Sequence, residues 1–287
     1  MTFFKSDKGR QEIYDLYDQK LEELNIEYKY LKVNTSYGET NVICTGNADN
    51  PPILLIHGSN GCAPIALEAY PNLSSEYHVF AIDVLAQPNK SAQTRLNMKD
   101  HSYGIWMNEV IRELNLEEVR MIGFSFGGLV MLKTLEFDES RIKEVYLAAP
   151  AYIVSGNPIK LLFKVFIPIK RYLNNGKVKY VQKFLAELFT EPDEFAVQFL
   201  SKVFHHYKMD FTPVPIIRKQ AAQSIETPIT LFAAKKDMMF PGEKMIKRAS
   251  AIFPSLKKTI LLEESKHVQS KADNSLIESI VIENKSQ

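Results

Sequence analysis

Met121-Ile122-Gly123-Phe124-Ser125-Phe126-Gly127-Gly128-Leu129 carries an apolar strand into Gly-x-Ser-x-Gly and on into a helical run. A strand that turns this sharply into a helix has no room for a β-carbon two positions either side of the serine, and glycine stands at both places. Such a turn presents the serine hydroxyl at the end of a strand, where a nucleophile is useful. Capping of the following helix is the alternative role for Ser125. The flanking glycines, the third at position 128 and the strand-to-helix setting favour the nucleophile.

Outward from this point the chain alternates compact apolar runs with helical patterns. The runs are Ile53–Ile56, Val79–Ile82, Val119–Ile122, Val145–Ala148, Ile229–Ala233 and Thr259–Leu262. Strands apolar at successive positions are buried on both faces, which predicts a parallel sheet covered by helices. Helical spacing is read over Gln11–Leu24, Ala66–Leu73, Ser102–Leu114, Phe126–Leu135, Glu243–Ala251 and Ser275–Ile282. Two further strands, around Tyr28–Val33 and Val42–Ile43, flank Ser36-Tyr37-Gly38-Glu39 and predict a hairpin.

A serine hydroxyl at neutral pH needs a base beside it, and the base needs an acid to orient it. In a parallel sheet both should come from loops at the carboxyl ends of later strands. Asp237 follows the run from Ile229 through Lys235-Lys236, and His267 follows Thr259–Leu262 through Glu263-Glu264-Ser265-Lys266. The order Ser125, Asp237, His267 is the one this architecture uses. His78 and His101 precede the serine, and His205 and His206 lie in a different region; Glu263 and Glu264 stand too early in their loop to be the preferred acid. Oxyanion donors are expected from the backbone amides of Ser59 and Phe126, because Ile53–Ile56 runs into His57-Gly58-Ser59-Asn60-Gly61, where glycine lets the backbone approach a ligand. His57 is read as ordering that loop.

The 287 residues carry 35 Lys and Arg against 34 Asp and Glu, with 45% hydrophobic and 24% charged residues. This excludes collagen-like and mostly disordered chains, and a formal net charge of +1 gives no global reason to expect nucleic acid as a partner. Cys44 and Cys62 make no disulfide framework and have no metal-ligand spacing, and a serine nucleophile with its own base and acid needs no metal or organic cofactor. Cys62 stands close enough to the oxyanion loop to line a pocket. The first residues reach charge too soon for a signal-peptide core, which points to a cytoplasmic protein. Oligomeric state is not readable.

Between Pro150 and Glu226 the alternation stops, and this stretch holds eight of the 17 Phe residues. It reads as a helical cap over 150–225, inserted into a core formed by 1–149 and 226–287. From Val145 to Ala186 there is no acidic residue, whereas Lys160, Lys164, Lys170 and Arg171 interleave with Leu162, Phe163, Phe166 and Ile169. That composition suits membrane-surface contact through the cap; Pro168 interrupts the run, and cap helices also bury an apolar face over an active site.

With these residues in view, the chain resembles the α/β-hydrolase superfamily, and within it bacterial carboxylesterase-type members. The matching pieces are His57-Gly58, Asp83, Gly123-Phe124-Ser125-Phe126-Gly127-Gly128, Asp237 and His267, with the segments Tyr70–Asp83, Pro88–Ser91 and Tyr103–Val110. Asp83 leads into Val84-Leu85-Ala86 instead of a Gly-His-Gly turn, and Ser265-Lys266 precedes the histidine where relatives often have glycine. The resemblance implies an α/β fold, a mostly parallel eight-stranded sheet flanked by helices, with the cap after the sixth strand. It also implies a serine hydrolase that cleaves a small-molecule carboxylic ester with an apolar acyl group through an acyl-enzyme, Ser125, Asp237 and His267 being catalytic. Thioester, amide or carbon–carbon bond hydrolysis, lipid hydrolysis at a membrane surface, and a non-catalytic ligand-binding module are the alternatives.

Overall fold

Eight strands and twelve α-helices make up the computed structural model, which describes residues 2–286. The strands are β1 (Tyr28–Thr35), β2 (Gly38–Thr45), β3 (Pro52–Ile56), β4 (His78–Ile82), β5 (Val119–Phe124), β6 (Ile142–Ala148), β7 (Ile229–Ala234) and β8 (Leu256–Leu262). They form one sheet in the order β1-β2-β4-β3-β5-β6-β7-β8. β1 and β2 make the expected hairpin, β2 runs antiparallel to β4, and every pair from β4 to β8 is parallel. The expectation of an eight-stranded, mostly parallel sheet is therefore met.

The helices are α1 (Asp7–Glu23), α2 (Ala63–Ala69), α3 (Leu73–Glu76), α4 (Ser102–Glu113), α5 (Phe126–Phe137), α6 (Pro158–Leu161), α7 (Ile167–Asn175), α8 (Lys179–Leu188), α9 (Glu194–His206), α10 (Lys219–Gln223), α11 (Gly242–Ile252) and α12 (Lys271–Glu283). Alternation along the central strands sorts their side chains into two layers. Leu54 and Ile56 of β3 join Trp106, Leu129 and Met245 from α4, α5 and α11, whereas Ile53 and Leu55 join Leu16, Leu67 and Ile277 from α1, α2 and α12. Trp106 is fully buried and donates its indole N–H to Thr40 Oγ1 at 2.8 Å, a packing residue with its one polar atom satisfied.

The single helix expected over Ala66–Leu73 is instead the pair α2 and α3. Pro71 drives the residue before it out of helical geometry, and Tyr70 sits at φ −138°, ψ 67°.

α6 to α10 lie between β6 and β7, so a helical insert follows the sixth strand as expected. Its apolar residues, among them Val181, Phe199 and Val203, belong to the same buried cluster as Ile13, Leu16 and Tyr17 of α1. Residues 1 and 287 of the expected core lie outside the described residues. Pro168 does not break the insert's first helix: α6 passes into a π turn over Leu162–Phe166 and then into α7, with helical backbone at each junction. The wider turn takes up the carbonyl that proline cannot bond and would crowd.

The loops leaving β3 and β4 are tied by Asp83. Its Oδ2 accepts from Tyr17 Oη at 2.9 Å, Asn41 Nδ2 at 2.8 Å and the Lys90 amide at 3.3 Å, and its Oδ1 accepts from the Ala63 amide at 2.8 Å. Burial pushes this carboxyl up to about 6 against the opposing pull of its four donors. Removing one donor with Tyr17→Phe is expected to cost about 1–3 kcal/mol. Because the hydroxyl favours the ionised carboxylate, the loss should be larger near pH 8, above the folded-state value, than near pH 5. Chemical denaturation of both proteins at the two pH values checks this.

Candidate active site

Ser125 stands between the end of β5 and the start of α5 with φ 52° and ψ −110°, backbone that L-residues avoid. The turn is clamped from three sides. The Ser125 amide donates to Ala148 O at 3.0 Å, and its carbonyl accepts from the amides of Gly128 and Ala151, each at 2.9 Å. A β-carbon at Gly127 would strike the Ile56 carbonyl oxygen, a backbone atom, so glycine is required there by close approach; one at Gly123 would meet the Met131 side chain at Sδ and press on the backbone of Gly127.

His267, in the loop after β8, places Nε2 2.9 Å from Ser125 Oγ and Nδ1 2.7 Å from Asp237 Oδ2. A carboxylate only accepts, so Nδ1 carries the proton and donates to Asp237, leaving Nε2 to accept from the serine hydroxyl. Asp237 Oδ1 accepts from the amides of Met239 at 2.6 Å and Phe240 at 3.0 Å, which fixes the carboxylate plane. All three side chains are buried. The two neighbouring carboxylates are elsewhere: Glu263 and Glu264 are exposed and pair with Lys235 and Lys236.

Residue types and strand ends do not disclose what holds the histidine loop. Thr190, just past α8, accepts the Lys266 amide on Oγ1 at 2.9 Å and donates that hydroxyl to Val268 O at 2.6 Å. Phe189 and Val268 form a parallel bridge, with the Val268 amide donating to Leu188 O at 2.9 Å. The Phe124 and Phe240 rings pack on the imidazole with centroids 5.1 and 5.4 Å away. Phe124 and Phe240 adjoin Ser125 and Asp237 in the chain, a local signal; nothing local marks Thr190, which lies 77 positions before His267.

Ser59 and Phe126 border one cavity of about 60 Å³, and among the described residues neither backbone amide has a hydrogen-bond acceptor. The opposite walls include Met98, Tyr103 and Val214, with Gln87 and the ion pair of Arg95 with Asp210 at 3.3 Å. Gln87 Oε1 accepts the Asn60 amide at 2.7 Å and so holds the loop that carries Ser59. Cys62 does not reach this cavity; it is fully buried at the start of α2.

His57 is the loop's internal brace. The Val84 amide donates to its Nε2 at 3.0 Å, so the proton is on Nδ1, which donates to Gly58 O at 2.7 Å. Asn89 Nδ2 lies 3.2 Å from the same Nε2. Burial lowers this imidazole to about 4, keeping it neutral and unable to serve as a shuttle near neutrality. Among the described residues no group of three His, Cys, Asp or Glu could hold a metal ion, and no helix is long and apolar enough to cross a membrane.

Residues 51–212 match the family model described as the alpha/beta hydrolase fold. The chain is 24% identical over 271 residues to carboxylesterase YbfK of Bacillus subtilis (strain 168), covering 91% of this chain and 89% of that protein. It is 32% identical over 149 residues to the uncharacterized carboxylesterase nap of the same organism, a match that covers 51% of this chain and about half of that protein, 48%. Among solved structures, the naproxen esterase (carboxylesterase NP) from Bacillus subtilis superimposes with a TM-score of 0.84 at 23% identity, over 97% of this chain and 98% of that one. At that identity the superposition speaks for the fold alone.

The backbone at position 125 gives a stability test. Ser125→Ala keeps the strain and Ser125→Gly releases it, so the glycine variant should be more stable than the alanine variant by about 1 kcal/mol or more, read from denaturant midpoints. For His57, the folded-state value lies below the unfolded 6.5, so its contribution is full above that and is lost as pH falls towards 4. The stability advantage of wild type over His57→Gln should therefore shrink by about 2 kcal/mol between pH 7 and pH 5. A constant difference across that range would contradict the brace.

Proposed function

The chain belongs to the α/β-hydrolase family, and on that footing we propose that it is a serine hydrolase cleaving a small carboxylic ester through an acyl-enzyme. The observation that carries this reading is the unbroken relay from Asp237 Oδ2 through His267 to Ser125 Oγ, with links of 2.7 and 2.9 Å. Its elements sit on three different strand ends, which packing alone does not require.

In this scheme His267 Nε2 takes the Ser125 proton as Oγ attacks the ester carbonyl carbon, and Asp237 holds the Nδ1–H tautomer and stabilises the imidazolium. The carbonyl oxygen, now negative, is met by the amides of Ser59 and Phe126, which have no other acceptor among the described residues. His267 then gives its proton to the departing alkoxide, the acyl group stays on Ser125, and a water deprotonated by His267 releases the acid. Only side chains, backbone amides and water take part.

Substrate reading rests on the cavity. Met98, Tyr103, Phe126 and Val214 give the cavity beside Ser59 apolar walls, which suits an apolar acyl group, with Gln87, Arg95 and Asp210 as its polar lining. The named Bacillus relatives are carboxylesterases, which agrees with an ester rather than an amide.

Hydrolysis of p-nitrophenyl esters from acetate upward tests the proposal in wild type, Ser125→Ala and Asp237→Asn. Turnover should fall about 10³-fold or more in the serine variant and about 10⁴-fold in the asparagine variant, where the wrong tautomer is held. Retention of most ester turnover by Ser125→Ala would overturn the mechanism.

A further inference from the structure

The helical segment that opens the insert, α6 through the π turn to α7, carries two apolar faces. Val165, Pro168, Ile169 and Tyr172 are buried against the rest of the insert. Ile159, Leu162, Phe163 and Phe166 point outward with 67, 49, 59 and 42% of their surface exposed, followed by Leu173 at 46%. Offsets of three, four and seven from Ile159 make the outward set a second helical stripe. A cap helix that only covers an active site needs the first face and gains nothing from the second.

Charge on the segment itself is one-sided. Lys160, Lys170 and Arg171 are exposed beside it, and no acidic residue occurs from Val145 to Ala186. Lys164 is partnered, pairing with Glu187 at 2.7 Å. A second copy of the chain is a poor cover: a twofold contact would lay this patch on itself and gather Lys160, Lys170 and Arg171 of both copies at one interface, with no acidic residue of the segment to pair with them. An apolar stripe rimmed by cations is matched by a bilayer surface with anionic headgroups, which takes apolar side chains below the headgroup level and pairs with lysine and arginine.

We infer that the segment Pro158–Asn175 docks this chain onto anionic phospholipid surfaces, lying in the plane of the interface with Ile159, Leu162, Phe163 and Phe166 inserted. The stripe leads to the site: the Phe166 ring meets Phe211 edge-on at 5.9 Å, and the residues either side of Phe211, Asp210 and Thr212, line the cavity beside Ser59 and Phe126. Docking thus brings the cavity to the lipid surface. Docking of this kind needs only the exposed stripe and its charge, not ester chemistry at Ser125.

Flotation with vesicles tests it, using wild type, Ile159→Glu/Phe163→Glu and Lys160→Glu/Arg171→Glu. Wild type should float with equimolar phosphatidylglycerol and phosphatidylcholine at low salt, and only weakly with phosphatidylcholine alone or at high salt. Each basic residue lost should weaken partitioning by about fivefold, and reversal to Glu by more. The apolar double variant should lose binding while keeping wild-type circular dichroism and p-nitrophenyl acetate turnover. If wild type hydrolyses no ester, the vesicle result still decides docking, with circular dichroism reporting the fold. No flotation of wild type, equal flotation of the apolar variant, or equal binding to zwitterionic vesicles would each overturn the inference. So would concentration-dependent dimerisation abolished by Ile159→Glu/Phe163→Glu in a chain that ignores vesicles.

Discussion

Backbone at Ser125 stays in a conformation that costs about 1–3 kcal/mol because the sheet around it leaves no alternative. Its carbonyl is held by two amides and its own amide is donated to β6, while the start of α5 approaches the end of β3 so closely that only glycine fits at position 127. Relaxing the turn would break these bonds and part α5 from the end of β3. The strain is therefore supported by the core, which is well able to bear it: Leu129, Val130, Met131 and Leu132 of α5 are all fully buried. Once the serine is aimed, the remaining groups have one place to stand.

Two devices keep the surrounding loops in register, and both work by burying a group in its neutral or well-bonded form. His57 is neutral because it is buried, and as a neutral ring it can accept from Val84 while donating to Gly58. Asp83 gathers donors from α1, β2, the start of α2 and its own loop, so one carboxyl group joins four pieces of chain. Near neutrality its desolvation is only partly offset by those donors, which makes the loop dependent on every one of them. The side chains of His57, Asp83 and Gln87 thus hold the loop that carries Ser59.

The insert has a double role in the architecture. Its far side, around Leu188, Phe189 and Thr190, pairs with the strand-like segment at Val268 and sets the height of His267. Its first helix faces outward with apolar and basic residues together. Apolar contacts among Tyr172, Phe184 and Phe204 hold the insert's own helices together, and the cluster shared with α1 fastens it to the core.

What the amino-acid sequence determined was whatever depends on neighbours in the chain. Runs such as Leu54–Ile56 and Ile229–Ala234 are apolar at successive positions because both faces are covered, so the strands and their number could be read directly. Gly123 and Gly127 announce the sharp turn, and Asp237 and His267 stand just past strands, which made them legible as candidates before any contact was known. Pro71, which splits α2 from α3, is a local signal of the same kind. Tertiary structure decided the rest, because those features are made by residues far apart. Pro168 surviving inside a helix needed the π turn and the packing of Ile169 and Tyr172 beneath it. Thr190 at the histidine loop, the exclusion of Cys62 from the cavity and the outward set of Phe163 follow from how layers meet. A periodic pattern says that a helix has an apolar face; only the assembled layers say which face the core takes and which is left to the solvent.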